Sequence, residues 1–126
     1  MGEFVECING MKEACEFLNF PVVSGNVSFY NETNSKSIFP TPVIGGIGLF
    51  DNLNKIINMK TKKVGNLIII VGKTFGHLGQ SSFMREIYSV NEGSPPEINL
   101  TNEKNNGQSI LNLINLNLVA SCHDVS

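Results

Sequence analysis

The sequence predicts an α+β fold, in which helices and strands alternate without the regular order of a parallel β-α-β protein. Two observations lead to this prediction. Apolar residues recur at helical spacing near the start of the chain, whereas residues 67–71 form a continuous apolar run that is mostly β-branched. The chain has 126 residues, of which 41% are hydrophobic and 16% are charged, so it can form a core.

The bulk composition argues against several classes of partner. The formal net charge is −2, so there is no electrostatic case for binding nucleic acid or a membrane surface. No apolar run approaches the ~18 residues of a spanning helix, and the first residues lack the basic region of a signal peptide. The three cysteines have no C-x-x-C spacing, which predicts reduced thiols in a cytoplasmic protein.

The first predicted element is an amphipathic helix over residues 3–19. Pro21 follows it and favours an extended backbone, as do Val22 and Val23. The apolar positions of the helix recur at helical spacing and should form one packing face: Phe4, Ile8, Met11, Cys15 and Leu18.

The middle of the chain is predicted to hold strands separated by polar connections. A turn begins at Asn34, and residues 43–50 form a strand whose glycines allow close backbone approach. Residues 51–65 are a basic, asparagine-rich connection with a short strand at 56–59. Residues 67–71 are then predicted to be a buried strand.

The last part of the chain is predicted to contain two helices and a strand. A short helix over residues 83–88 has a serine as its N-cap. A second helix is capped by Thr101 or Asn102 and ends near residue 116, and residues 119–122 form a strand.

Two local patterns resemble functional motifs without meeting their requirements. Gly72-Lys73-Thr74 looks like the end of a P-loop, but that pattern requires glycine at position 67, where Leu67 stands. His123 and Asp124 suggest acid-base chemistry, yet adjacent residues of an extended chain point to opposite faces. We therefore expect His123 and Asp124 to be structural, and His77 to be a loop histidine.

The corner, residues 24–28, is the strongest candidate site. Gly25 lets the backbone adopt positive φ and lets a ligand approach closely. Asn26 offers a neutral oxygen suited to Mg²⁺, and the Ser28 hydroxyl can donate to a phosphate. An ordinary turn explains the same residues, because Gly, Asn and Ser dominate turns for conformational reasons. The residues alone leave both explanations open.

Five segments together resemble one enzyme family. They are VVSGNVSFYNET at residues 22–33, FPTPVIGGIGL at 39–49, GHLGQS at 76–81, GSPP at 93–96 and CHDVS at 122–126. In this order and spacing they resemble the second half of the large synthetase subunit of the phosphoribosylformylglycinamidine synthase family. The resemblance covers nearly the whole chain.

The resemblance implies an activity and a set of ligands. The family's ATP-dependent C–N ligase converts formylglycinamide ribonucleotide and glutamine-derived ammonia to the amidine in de novo purine biosynthesis. It implies ATP and Mg²⁺ as cofactors, and a glutaminase subunit and a small adaptor subunit as partners. Matched residue by residue, it places Gly25 at ATP, Asn26 at Mg²⁺ and Ser28 at the ribonucleotide. It implies no catalytic residue within this chain.

The resemblance also implies a domain organisation. Residues 1–52 would be the end of an ATP-binding synthetase domain of the aminoimidazole ribonucleotide synthetase-like superfamily. Residues 53–126 would be the start of the following α/β domain. The chain ends where the family continues with Asp-Gly-Gly and begins within a helix whose preceding strand in the family is missing, so the resemblance implies an internal piece of a longer polypeptide. Because the family's catalytic histidine and acidic metal ligands are absent here, this piece is expected to be inactive by itself.

Two other interpretations remain open. One is a different ATP-binding member of the same superfamily, although such members lack the GNVSFYNET segment. The other is an inactive binding or scaffold fragment.

Overall fold

The computed structural model describes residues 1–125; Ser126, which ends the CHDVS motif, lies outside them. The chain divides into two compact units, Met1–Asp51 and Asn52–Ser126. The first contains helix α1 (Gly2–Leu18) and strands β1 (Glu32–Thr33) and β2 (Lys36–Ser37). The second contains a 3₁₀ turn and helices α2 and α3: Leu53–Lys55, Ser82–Tyr88 and Leu100–Asn115. None of the helices in the described part is long and apolar enough to cross a membrane.

Helix α1 confirms the first predicted element, but its packing face differs from the prediction. The side chains that are half-buried include Cys7 and Ala14, whereas Ile8 and Leu18 are 44% and 41% exposed. The helix ends at Asn19, which has φ 55, and the next amide donates to the Cys15 carbonyl over 2.9 Å. The half-buried face of the helix therefore includes Cys7 and Ala14 in place of Ile8 and Leu18. Spacing alone does not say which neighbours the helix will contact.

Helix α1 is held to the rest of its unit by a few side-chain contacts. The rings of Phe4 and Phe29 meet edge to face, with their centroids 5.6 Å apart. The Cys7 thiol donates to the Pro40 carbonyl across 3.6 Å. These contacts order the first unit although no apolar side chain is buried within residues 1–125.

Strands β1 and β2 form an antiparallel hairpin in which Glu32 pairs with Ser37 and Thr33 with Lys36. The two residues between the strands, Asn34 and Ser35, have φ of 50 and 59. Two central residues with positive φ are typical of the tight turn that matches strand twist. The predicted turn at Asn34 is confirmed.

In the second unit, one predicted helix cap is confirmed and the other is wrong. The Ser81 hydroxyl accepts from the Met84 amide over 3.2 Å at the start of α2, as expected for a serine cap. Helix α3 is capped by Asn99, whose side-chain oxygen accepts from the Asn102 amide over 2.9 Å. The helix begins at Leu100, so Thr101 and Asn102 already lie inside its first turn and cannot cap it.

A clasp closes the loop around α2; it consists of residues 78–81 and 92–94. The Gln80 amide donates to the Glu92 carbonyl over 3.1 Å, and its side chain donates to the Gly93 carbonyl over 2.9 Å. The backbones approach so closely that a Cβ on Gly79 would overlap the carbonyl oxygen of Ser94. The clasp therefore requires glycine at position 79.

The strands predicted at residues 43–50, 67–71, 56–59 and 119–122 are not formed within residues 1–125. One backbone bond, from the Cys122 amide to the Asn58 carbonyl over 3.1 Å, joins the last two segments without extending into a ladder. A strand is stable only when a neighbouring strand takes up its backbone bonds. The prediction of these four strands was wrong, because apolar composition indicates a tendency to pair and does not supply the partner strand.

The apolar segments are consequently exposed. Val43 and Ile47 are 95% and 96% exposed, and Ile68 is 93% exposed. The accessible surface of the chain is 11,814 Å². A compact monomer of this length exposes about 6,600 Å². The chain therefore leaves much of its apolar surface without a partner.

We predict that the purified 126-residue chain self-associates at micromolar concentration. Residues 67–71 combine β-branched side chains, no charge and free backbone groups, which favour pairing between copies. Ile68→Lys should lower the scattered light, because a charge opposes such pairing. The matched control is Ile87→Lys on α2, where the side chain is 65% exposed but belongs to a helix. A clean monomer that melts cooperatively would contradict this prediction.

We also predict that Gly79→Ala opens the clasp and destabilises the loop by about 2 kcal/mol, a typical cost of overpacking. Hydrogen exchange at the Gln80 amide should accelerate, because its bond to Glu92 is lost. Gly76→Ala is the control, since nothing lies within 4 Å of a Cβ there. Equal exchange rates in the two variants would show that the clasp tolerates a side chain.

Candidate functional site

The corner lies between the end of α1 and the start of β1, on an exposed stretch of chain. No atom lies within 4 Å of where a Cβ on Gly25 would stand, so a ligand can approach the backbone there. Gly25 does not adopt positive φ, in contrast to the expectation, because the chain runs on without a sharp bend at this residue. The glycine contributes open space rather than an unusual conformation.

Asn26 presents an exposed amide whose side chain forms no hydrogen bond within residues 1–125. Its oxygen is thus available as a hard neutral ligand. In the same part of the chain, no group of three His, Cys, Asp or Glu side chains is arranged to hold a metal ion. Asn26 fits the role of one ligand among several, and the other ligands of a Mg²⁺ ion would have to come from elsewhere.

Ser28 is exposed and is held by its neighbours. Its hydroxyl accepts from the Tyr30 amide over 3.3 Å and donates to the Tyr30 carbonyl over 3.5 Å. The donated bond is at the long limit for a hydrogen bond, so little is lost when the hydroxyl donates to a ligand instead. The hydrogen-bonded turn thus lies at residues 28–31 and not at Ser24-Gly25-Asn26, where an ordinary turn had been the alternative.

The contacts of Asn31 were not foreseen from the sequence. Its side-chain amide donates to the Ser28 carbonyl, and its backbone carbonyl accepts from the Ile38 amide over 3.1 Å. The sequence carried no signal for these contacts, because the bond to Ile38 depends on how the hairpin pairs.

His123 and Asp124 contact each other directly. The His123 Nδ1 atom lies 2.9 Å from the Asp124 Oδ1 atom, although an extended chain would turn the two side chains apart. The expectation failed because residues 119–122 are not a strand in the described structure. Both side chains are largely exposed, at 55% and 82%. They form a surface pair, remote in sequence from the corner.

Comparison with known proteins decides the family resemblance. The chain is 56% identical over all of its 126 residues to the phosphoribosylformylglycinamidine synthase subunit PurL of Pelagibacter ubique. It is 48% and 47% identical, again over its full length, to the subunits of that name from Bradyrhizobium diazoefficiens and Azorhizobium caulinodans. The resemblance to phosphoribosylformylglycinamidine synthase is confirmed.

The chain spans 17% of the length of these curated relatives. Residues 1–50 match the family described as AIR synthase related protein, N-terminal domain, which confirms the superfamily. That match does not support placing residues 1–52 at the end of the domain, or the chain in the second half of the subunit. No solved structure matches the chain.

Proposed function

We propose that this chain is a segment of an ATP-dependent C–N ligase that makes formylglycinamidine ribonucleotide in purine biosynthesis. The observation that carries the proposal is 56% identity over the whole chain to a phosphoribosylformylglycinamidine synthase subunit. In this reaction ATP phosphorylates the amide oxygen of formylglycinamide ribonucleotide, and ammonia then displaces the phosphate.

Within that reaction, the corner binds the two phosphorylated substrates. The backbone at Gly25 has open space for a nucleotide phosphate, because no atom lies within 4 Å of a Cβ position there. Ser28 donates its hydroxyl to the ribonucleotide, exchanging its 3.5 Å bond to the Tyr30 carbonyl for a stronger one. Both tasks are binding and orientation, which supply much of the rate enhancement in phosphoryl transfer.

Asn26 holds the metal ion through its side-chain oxygen. Mg²⁺, when bound, neutralises charge on the phosphate oxygens. One neutral oxygen cannot fill a shell of about six ligands, so Asn26 would be one ligand and the remaining ligands would come from outside the corner. The free Asn26 side chain supports this assignment.

We further propose that residues 1–52 and 53–126 belong to different domains, an ATP-binding N domain and the following α/β domain. The family match ends at residue 50, and the compact units divide after Asp51. The proposed enzyme is cytoplasmic and receives ammonia from a glutaminase subunit with a small adaptor subunit. An inactive binding or scaffold fragment is the second candidate function.

We predict that the 126 residues alone release no ADP above background when given formylglycinamide ribonucleotide, ATP, Mg²⁺ and ammonia. The described residues contain no carboxylate cluster for the metal. Catalytic groups that act as a unit lose most of their activity when one of them is missing. The positive control is a chimera, in which residues 1–126 replace the matching segment of the Pelagibacter ubique subunit. Turnover by the short chain itself would contradict the prediction, and an inactive chimera would favour the scaffold.

In the chimera, Asn26→Ala should lower the rate about a hundredfold at low Mg²⁺, because a lost ligand misplaces the phosphates. Its half-saturating Mg²⁺ concentration should rise. Ser28→Ala should instead raise the KM for the ribonucleotide and leave the Mg²⁺ titration unchanged. Asn9→Ala is the control, since Asn9 is an exposed residue of α1 away from the corner. An unchanged Mg²⁺ titration for a folded Asn26→Ala chimera would remove the metal assignment.

A further inference from the structure

Ser28 is fixed on both its hydroxyl and its backbone carbonyl. The hydroxyl is bonded to Tyr30, two residues along the chain, which moves with the corner itself. The carbonyl accepts from the Asn31 side-chain amide. Among the hydrogen bonds of Ser28 within residues 1–125, this second bond connects it to a residue that is anchored beyond the corner.

Asn31 is anchored by the hairpin. Its backbone carbonyl accepts from the Ile38 amide over 3.1 Å, which extends the pairing of β1 and β2 by one bond. The hairpin turn at Asn34 and Ser35 sets the position of that bond. The side chain of Asn31 therefore links a hydrogen-bonded hairpin to the corner.

The other contact of this region is weaker as a constraint on Ser28. Phe29 packs its ring on Phe4 of α1, with centroids 5.6 Å apart, but its side chain is still 73% exposed. An exposed ring contact restricts approach from one side and does not set a hydroxyl to within a few tenths of an ångström. Hydrogen bonds do so, because they weaken steeply when bent or stretched.

We propose that Asn31 is a positioning residue that holds Ser28 in the orientation that binds the ribonucleotide; this rests on the proposed function. The role requires a donor at this position. Aspartate has the same shape but an acceptor in place of the amide, so it would repel the Ser28 carbonyl. The corner thus depends on an amide that makes no contact with the substrate.

The test uses the chimera and measures the KM for the ribonucleotide. Asn31→Asp should raise that KM roughly threefold to tenfold, the range expected for one lost hydrogen bond. The KM for ATP, the Mg²⁺ titration and the melting temperature should stay unchanged. Asn9→Asp is the matched control, because it makes the same chemical change on an exposed face of α1.

A double-mutant cycle with Ser28→Ala separates positioning from a general loss of structure. If Asn31 acts through Ser28, the double variant should have the same KM as Ser28→Ala alone. Asn31→Ala, which has no side-chain donor, serves as the second variant and decides the question if Asn31→Asp does not fold.

Four outcomes would overturn the inference. Additive effects in the cycle, or an equal effect of Asn9→Asp, would show that Asn31 does not act through Ser28. If Ser28→Ala raises the KM and neither Asn31 variant does, the inference about Asn31 is overturned and the proposed function of the corner stands. If Ser28→Ala leaves the KM unchanged, the proposed role of the corner fails together with it.

Discussion

Every extended segment of this chain faces the same constraint, which is that its backbone amides and carbonyls need partners. The two-residue strands β1 and β2 meet it within a hairpin. Residues 43–50 and 67–71 do not meet it within the described residues, and they stay irregular and exposed. The ordered parts are those that satisfy their own backbone: three capped helices, one tight hairpin and the clasp around α2. Local hydrogen bonding is thus what orders the chain.

This constraint explains what could be predicted from the sequence. Helices α1, α2 and α3 were predictable because the signals of a helix lie within a few turns of chain. Apolar spacing indicated α1 and the Ser81 cap indicated α2, whereas the cap of α3 was placed two or three residues too late. The strands could not be predicted, because apolar β-branched residues indicate that a segment favours pairing but do not identify the segment that pairs with it. At the corner, residue types suggested ligands, whereas the role of Asn31 depends on a bond between its carbonyl and the Ile38 amide across the hairpin. Residue types alone do not contain that information.

The corner and the apolar segments differ in how much they depend on further chain. Ser28, Tyr30 and Asn31 form their bonds within four residues, so the geometry of the corner is local. The proposed metal site would not be local, because the described residues contain no group of His, Cys, Asp or Glu side chains arranged to hold a metal ion. The curated relatives are about six times as long as this chain, which covers 17% of them. Binding geometry and catalytic charge would then reside in different parts of such a protein.

The exposed surface also has a calorimetric consequence. The heat capacity change of unfolding arises mainly from apolar surface that becomes hydrated. An unfolded chain of this length exposes about 20,000 Å², and this chain already exposes 11,814 Å² when folded. Its unfolding therefore exposes about 8,200 Å² of new surface, against about 13,400 Å² for a compact monomer of this length. The heat capacity change of unfolding should be smaller by roughly 40%, and the stability curve should be correspondingly flatter. Association should also change the heat capacity. When the apolar segments gain partners, their surface leaves water, and the heat capacity change of that step is negative.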